Sequence, residues 1–179
     1  KPSYVASARV PGRLNDQFSL DEREGVLRMV TTDRLVSKDD WTSENDLFLL
    51  GEDMQPIGEV TGLAPDESVF SARFVGDRGY IVTFRQVDPL FVFDLKDPRQ
   101  PKLMAELKIP GFSTYMHPIE GGDYLLTIGR DGDDDGNIGE TALQLFDVRD
   151  ATNPILKHKH VLPGGWSEAA YDHKAFTFF

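Results

Sequence analysis

The sequence contains no cysteine. This absence excludes a disulfide framework, catalysis by a thiol and zinc sites built from thiolates. Long apolar runs are also missing, and none approaches the ~20 residues that a membrane-spanning helix requires, so we expect no membrane insertion. Basic residues are scarce, with 19 Lys and Arg against 30 Asp and Glu and a formal net charge of −11. Because nucleic acids need a basic face, this balance argues against a nucleic-acid partner and favours a solvated acidic surface over an acidic partner-binding face.

The sequence does have an internal repeat. Glycines that end an apolar, strand-like stretch recur at a period of about 50 residues, and aromatic–serine pairs follow at a similar spacing. These anchors are Gly12, Gly62, Gly111 and Gly164, followed by Phe18-Ser19, Phe70-Ser71, Phe112-Ser113 and Trp166-Ser167. A unit of this length with four short strands is typical of a β-propeller blade. Since the serines recur once per unit and lack a G-x-S-x-G elbow, we interpret them as structural and not as nucleophiles.

The segment 79–111 shows the repeating unit most clearly. It contains a β-branched and aromatic run at 80–84, an apolar run at 90–95 and an alternating pattern at 102–109, which predict three short strands. Asp88-Pro89 and Asp97-Pro98 punctuate them, because proline fixes φ and aspartate caps turns. The predicted fold class is therefore all-β, a β-propeller of four-stranded antiparallel blades.

The repeat also predicts the blade boundaries. Three blades are expected at residues 13–62, 63–111 and 112–164. Residues 4–10, within 1–12, would be the outer strand of a preceding blade, and 165–179 would start the next blade with strands at 167–171 and 175–179. A propeller needs at least four blades to close. We therefore expect about three to four blades of a larger ring, which the remainder of the same propeller or a complementary chain completes.

Four segments carry a resemblance to a known family. They are NDQFSLDEREGVLRMVTT at 15–32, FSARFVGDRGYIVTFRQVDPLFVFDLKDPRQPK at 70–102, LKIPGFSTYMHPI at 107–119 and SEAAYDHKAF at 167–176. They resemble the secreted prokaryotic β-propeller-domain family, which is distantly related to WD-repeat propellers. The resemblance implies a propeller fold and an extracellular, periplasmic or cell-surface location. It implies no established activity and supplies no catalytic residues.

The acidic stretch 131–140 predicts a calcium loop. Its pattern D-x-D-x-D-G-x-I places alternating carboxylates where calcium takes hard oxygen ligands. The predicted ligands are Asp131, Asp133, Asp135, Asn137 (through its carbonyl) and Glu140. The calcium-loop pattern has a glutamate at its twelfth position, where this sequence has Ala142, and Glu140 lies two residues before that position. The alternative is a solvated acidic turn without an ion.

Two arginines and a tryptophan are candidate ligand-binding residues. Arg85 and Arg130 each end the second strand of a blade, so both are expected at one face of the ring, where they would bind a carboxylate or phosphate. The alternative for both is ion pairing between blades. Trp41 is placed in a long connection over residues 33–45, where an exposed ring would bind a ligand and a buried one would anchor the loop.

The histidines give weaker signals. His158 and His160 lie two apart on a predicted outermost strand, so they share a face and suit a transition metal. Lysines flank both, and a charged edge that resists aggregation is the favoured interpretation. His117 and His173 are assigned to turns on the face opposite the arginines, with a structural role.

These observations predict a non-enzymatic, extracytoplasmic β-propeller that acts as a calcium-stabilised binding or assembly scaffold, with other proteins among its partners. The alternative is a hydrolase or lyase with a site at the channel mouth around Arg85 and Arg130, because a dispersed site leaves no sequence motif.

Overall fold

The structure is a computed structural model that describes residues 3–36, 41–84, 88–133 and 137–178, with the backbone alone at Leu35, Val36, Trp41 and Asp88. Twelve strands lie in these ranges: β1 Leu20–Arg23, β2 Val26–Val36, β3 Trp41–Leu50, β4 Pro56–Leu63, β5 Ser68–Val75, β6 Arg78–Phe84, β7 Asp88–Asp94, β8 Lys102–Ile109, β9 Gly111–Ile119, β10 Tyr124–Gly132, β11 Ile138–Asp147 and β12 Ile155–Leu162. None of the described helices is long and apolar enough to cross a membrane.

The strands form three antiparallel four-stranded sheets, each from consecutive strands: β1 to β4, β5 to β8 and β9 to β12. The first strands of the sheets are neighbours, since β5 lies beside β9 and the short 3-10 turn Gln17–Ser19, just before β1, lies beside β5. The sheets thus meet along their first strands and face one another, which is how propeller blades are arranged. The predicted fold class is confirmed.

Two apolar clusters fill the spaces between the sheets. The cluster between the first and second sheets includes Val30, Leu47, Leu49, Ile81, Phe91 and Phe93. The cluster between the second and third includes Tyr80, Val82, Leu90, Val92, Met116, Leu125 and Phe146. The second sheet contributes to both, which explains why its middle strands β6 and β7 are apolar without alternation. The outermost strands β8 and β12 instead expose at least half of their residues.

Asn45 holds the connection between the first two sheets. Its side chain is fully buried, and Nδ2 donates to the carbonyl oxygens of Leu63 at 3.0 Å and Ala64 at 3.2 Å. Its Oδ1 accepts from Thr32 Oγ1 at 2.7 Å, which in turn accepts from Val69 N at 3.0 Å. Ala64 has a φ of 45°, a strained conformation for a residue with a side chain. The buried amide therefore fixes a connection that would not keep this shape by itself.

The first sheet differs from the sequence expectation in its central hairpin. Residues 33–45 were expected to form a long connection, whereas β2 continues to Val36 and β3 begins at Trp41. The pairs Asp33↔Glu44 and Val36↔Trp41 extend the ladder over this stretch. The physical reason is that continued pairing satisfies the backbone donors and acceptors that a long loop would leave to water.

The two ends of the described chain also differ from the strands expected there. Residues 4–10 lie outside any strand, and Val10 packs on the outward face of the first sheet. The C-terminal segment forms two 3-10 turns, Glu168–Ala170 and His173–Ala175, in place of strands at 167–171 and 175–179. A strand needs a paired neighbour. Aromatic residues of this segment pack instead on the outward face of the third sheet.

Candidate binding cleft

The described members of the acidic stretch point to different partners. Asp131 forms an ion pair with Lys159 of β12, and Glu140 accepts a hydrogen bond from the backbone amide of Gly164. Asp133 accepts from the backbone and side-chain nitrogens of Asn137 at 2.9 and 2.8 Å. Asp135 lies outside the described residues. Within the described ranges, no group of three or more metal-ligating side chains is assembled, and calcium binding by the loop stays a prediction.

Arg130 lies in β10 and binds its own hairpin. Its Nε and Nη2 donate to the carbonyl oxygen of Gly139 at 3.0 and 2.6 Å, so both of these bonds go to a main-chain acceptor. Arg85 lies outside the described residues, and so does the side chain of Trp41, whose backbone is in β3. Where the two arginines stand relative to each other is therefore still a matter of prediction.

The structure shows a cleft that the sequence did not predict. It has a volume of about 120 Å³. Its walls come from three separate parts of the chain, namely the turn before β1, strand β9 and the C-terminal turns: Asp16, Gln17, Phe18, Thr114, Tyr115, Ala169, Ala170, Tyr171 and His173. Asp16 caps the first turn, since its Oδ1 accepts from the backbone amides of Phe18 at 2.8 Å and Ser19 at 3.1 Å. This cap fixes where the Phe18 ring enters the cleft.

Aromatic rings line one side of the cleft and continue beneath it. Phe18 packs against Tyr115 with ring centroids 5.6 Å apart and meets His173 edge-on at 5.1 Å. Phe176 lies 5.4 Å from Tyr115 and 5.0 Å from His117. Edge-to-face and tilted pairs at such distances are the favourable arrangements of aromatic rings. They attach the C-terminal turns to the inner strand of the third sheet.

Arg73 of β5 packs against this ring cluster. Its guanidinium carbon lies 3.7 Å from the Phe18 ring centroid and 5.2 Å from that of Tyr115, and its Nε donates to the Met116 carbonyl at 2.8 Å. Burial lowers the pKa of Arg73, while Tyr115 and Asp16 act in the opposite direction. The arginine thus joins the inner strands of two sheets through stacking as well as hydrogen bonding.

The surroundings of His117 favour its neutral form. It lies in β9 opposite Leu126 and not in a turn as expected, and its Nδ1 is 3.1 Å from the Tyr115 hydroxyl. Burial lowers the pKa of His117 from its ordinary value of 6.5, and the positive charge of Arg73 lowers it further. Both effects disfavour the charged imidazolium, which suits the contacts of the ring with Tyr115 and Phe176.

Comparison with known proteins agrees with this architecture. The family model described as the beta propeller domain matches residues 1–179. The chain belongs to the β-propeller domain family. This finding confirms the resemblance drawn from the four sequence segments.

Relatives of this β-propeller chain are uncharacterised archaeal proteins. One from Archaeoglobus fulgidus is 47% identical over 167 residues, which cover 93% of the chain and 25% of that protein. One from Methanocaldococcus jannaschii is 41% identical over 178 residues, covering 97% of the chain and 27% of that protein. The chain spans about a quarter of the length of these curated relatives.

Among solved structures, the Pyrococcus horikoshii acylaminoacyl peptidase is similar to this chain, with a TM-score of 0.49 and 16% sequence identity. The match covers 79% of this β-propeller chain and 24% of the peptidase.

Proposed function

We propose that this β-propeller is a non-enzymatic binding or assembly scaffold that works outside the cytoplasm. The observation that supports a binding role is the cleft beside the inner strands, where aromatic rings and hydrogen-bonding groups face a shared space. Pockets of this composition bind ligands through ring contacts and a few oriented polar groups. Within the part of the chain that the structure describes, no serine or threonine hydroxyl bonds to a histidine as a nucleophile would.

The alternative function, a hydrolase or lyase with a site at the channel mouth, lacks comparable support. It would need Arg130 free to meet a substrate, yet two of the Arg130 nitrogens donate to the Gly139 carbonyl.

An extracytoplasmic location is consistent with the cysteine-free composition, and fractionation of the source cells with antibody detection tests it. Recovery of the protein in the cytoplasmic fraction alone would contradict the location.

The first and third sheets are the end sheets of the chain, and the partner that best fits them is a further part of the propeller. The outward face of the first sheet carries a small buried cluster of Met29, Phe48 and Leu50, which is covered by three partly buried side chains, namely Val10, Leu27 and Met54. The outward face of the third sheet is covered in part by the C-terminal turns. Both faces have the apolar composition that the two inter-sheet clusters show. We therefore propose that further blades, from the remainder of the same propeller or from a complementary chain, pack on the first sheet and on the part of the third sheet that the C-terminal turns leave open.

We expect the 20.1 kDa chain to form a 1:1 complex when it is co-expressed with the remaining three-quarters of an archaeal relative. The measurement is native mass spectrometry beside denatured mass. The matched control is Leu20→Asp in the same chain, which places charge on the same face at a position that pairs with Met29 but is 40% exposed, and it should abolish the complex without burying a charge in the chain itself. A chain that stays monomeric beside the remainder would contradict the assembly proposal.

Calcium binding by the loop 131–140 is tested by thermal unfolding with and without a chelator. Calcium that binds only the folded chain raises its stability, so removal is expected to lower Tm by about 5 °C. Asp133→Asn should remove this response, because it deletes one predicted ligand charge. Asp53→Asn, at an exposed turn where Asp53 caps the amide of Gln55, should keep it. An unchanged Tm in the unsubstituted chain would refute calcium stabilisation and leave the acidic turn without an ion.

A further inference from the structure

We infer that the cleft, together with the exposed ring pair at its rim, binds a neutral carbohydrate. This inference rests on the proposed binding role and names the chemical class of the ligand. Two features support it independently. One is an aromatic surface that nothing described in the chain covers, and the other is a set of hydrogen-bonding groups in the adjoining cleft.

The aromatic surface consists of Trp166 and Tyr171. Their ring planes are nearly parallel at 23° with centroids 6.1 Å apart, and the residues are 64% and 69% exposed. Large aromatic side chains usually bury most of their surface, so two that stack on each other while exposed indicate a contact surface for a ligand. Sugar rings present flat faces of C–H groups, which pack against aromatic rings and exclude water from both.

The polar groups of the cleft suit hydroxyl groups. Asp16 Oδ2 has a single long contact, 3.4 Å from Asn15 Nδ2, so it remains available as an acceptor. Thr114 Oγ1 donates to the Ile128 carbonyl at 3.2 Å and keeps its lone pairs. Both ring nitrogens of His173 lie within hydrogen-bond distance of Gln17 Nε2, at 3.1 and 2.7 Å, so the available groups are the oxygens of Asp16 and Thr114. A sugar hydroxyl both donates and accepts, and it can donate to either of these oxygens.

Charge and size favour a neutral ligand of one or two rings. The Asp16 carboxylate is opposed by the Arg73 guanidinium behind Phe18, so neither an anion nor a cation is strongly preferred. The cleft volume of about 120 Å³ is on the scale of one sugar ring. The Trp166–Tyr171 surface adjoins it through Tyr171, which belongs to both features. A second ring of a disaccharide would therefore lie on this surface.

The test is a titration of the isotope-labelled chain with maltose, cellobiose, lactose and chitobiose, followed by amide chemical shifts. We expect at least one disaccharide to give saturable shifts at residues 16–18, 114–115 and 166–173, with Kd of about 1 mM. Trp166→Ala and Tyr171→Ala should each weaken binding roughly tenfold, since one ring contact is lost. The control is Tyr4→Ala, another exposed aromatic residue, which should leave Kd unchanged.

Several outcomes would overturn the inference. These are shifts that do not saturate with any of the four sugars, saturable shifts elsewhere on the chain, or equal affinity in Trp166→Ala with a well-dispersed spectrum. Binding of N-acetyl-arginine amide at the same residues, without sugar binding, would assign the cleft to a basic partner instead. None of these results affects the assembly experiment, whose 1:1 complex forms through the end sheets, so the proposed scaffold and the proposed sugar site fail separately.

Discussion

Phe93→Ala is expected to lower the free energy of unfolding by about 4 kcal/mol. Phe93 lies in β7 and is fully buried in the cluster between the first and second sheets. Truncation removes most of a large apolar side chain and leaves a cavity that the rigid sheets on both sides cannot close. Urea unfolding followed by far-UV circular dichroism measures the change through the midpoint at constant m-value.

Two control substitutions distinguish the effect of the cavity from a general sensitivity of the fold to the loss of a phenylalanine ring. Phe178→Ala removes the same atoms from a residue that is 52% exposed, and it should cost less than about 1 kcal/mol. Phe93→Leu keeps most of the volume, and it should fold even where the alanine variant does not, at a cost of about 1.5 kcal/mol. Equal losses for Phe93→Ala and Phe178→Ala would contradict the inter-sheet cluster as the main source of stability.

Gly129→Ala is expected to disrupt the third sheet. A Cβ at this position would lie 1.8 Å from the Phe112 carbonyl oxygen and 2.7 Å from the Ser113 Cα, both of them backbone atoms of the paired strand β9. The position also follows a register shift in the β9–β10 ladder, where the strands approach closely. Backbone atoms of a paired strand cannot rotate away as a side chain can. We therefore expect the free energy of unfolding to fall by roughly 3 kcal/mol or more.

The matched control for this substitution lies in the same sheet. Gly139→Ala would place its Cβ 3.5 Å from the Asp131 Cβ, an ordinary van der Waals distance. It should change stability by no more than about 0.5 kcal/mol. Thermal unfolding of both variants checks the contrast, and amide exchange in β9 and β10 shows whether the damage is local. A Gly129→Ala variant as stable as Gly139→Ala would refute the close strand contact.

The fold was largely predictable because its signals are local and repeated. Short β-branched runs such as the one at 80–84, and turns such as the one at Asp97-Pro98, indicate strands and their ends from neighbouring residues alone. The repeat then indicates how many such units to expect. The hairpin of β2 and β3 was underestimated because its polar residues, including Asp33 and Glu44, resemble a loop in composition. Their pairing shows only in the ladder itself.

The cleft could not be predicted in the same way. Asp16, Tyr115 and His173 are far apart in the sequence, and only the packing of the first strands and the C-terminal turns brings them together. The available signal was the Phe18-Ser19 pair, which marks the inner end of a blade but not what lies opposite it. The hydrogen bonds of Arg130 were hidden for a related reason, since sequence alone does not show that the Gly139 carbonyl lies within reach of its side chain, and ligand binding by Arg130 stays a prediction.

Each sheet is formed by four consecutive strands, and this arrangement affects how such chains change over evolutionary time. All backbone ladder pairs of a sheet form within one short stretch of sequence, so copying or deleting that stretch adds or removes a sheet while the other ladders stay intact. The gene can thus lengthen or shorten in whole modules. Point substitutions in the outermost strands and turns can diversify one module without requiring matching changes in the rest.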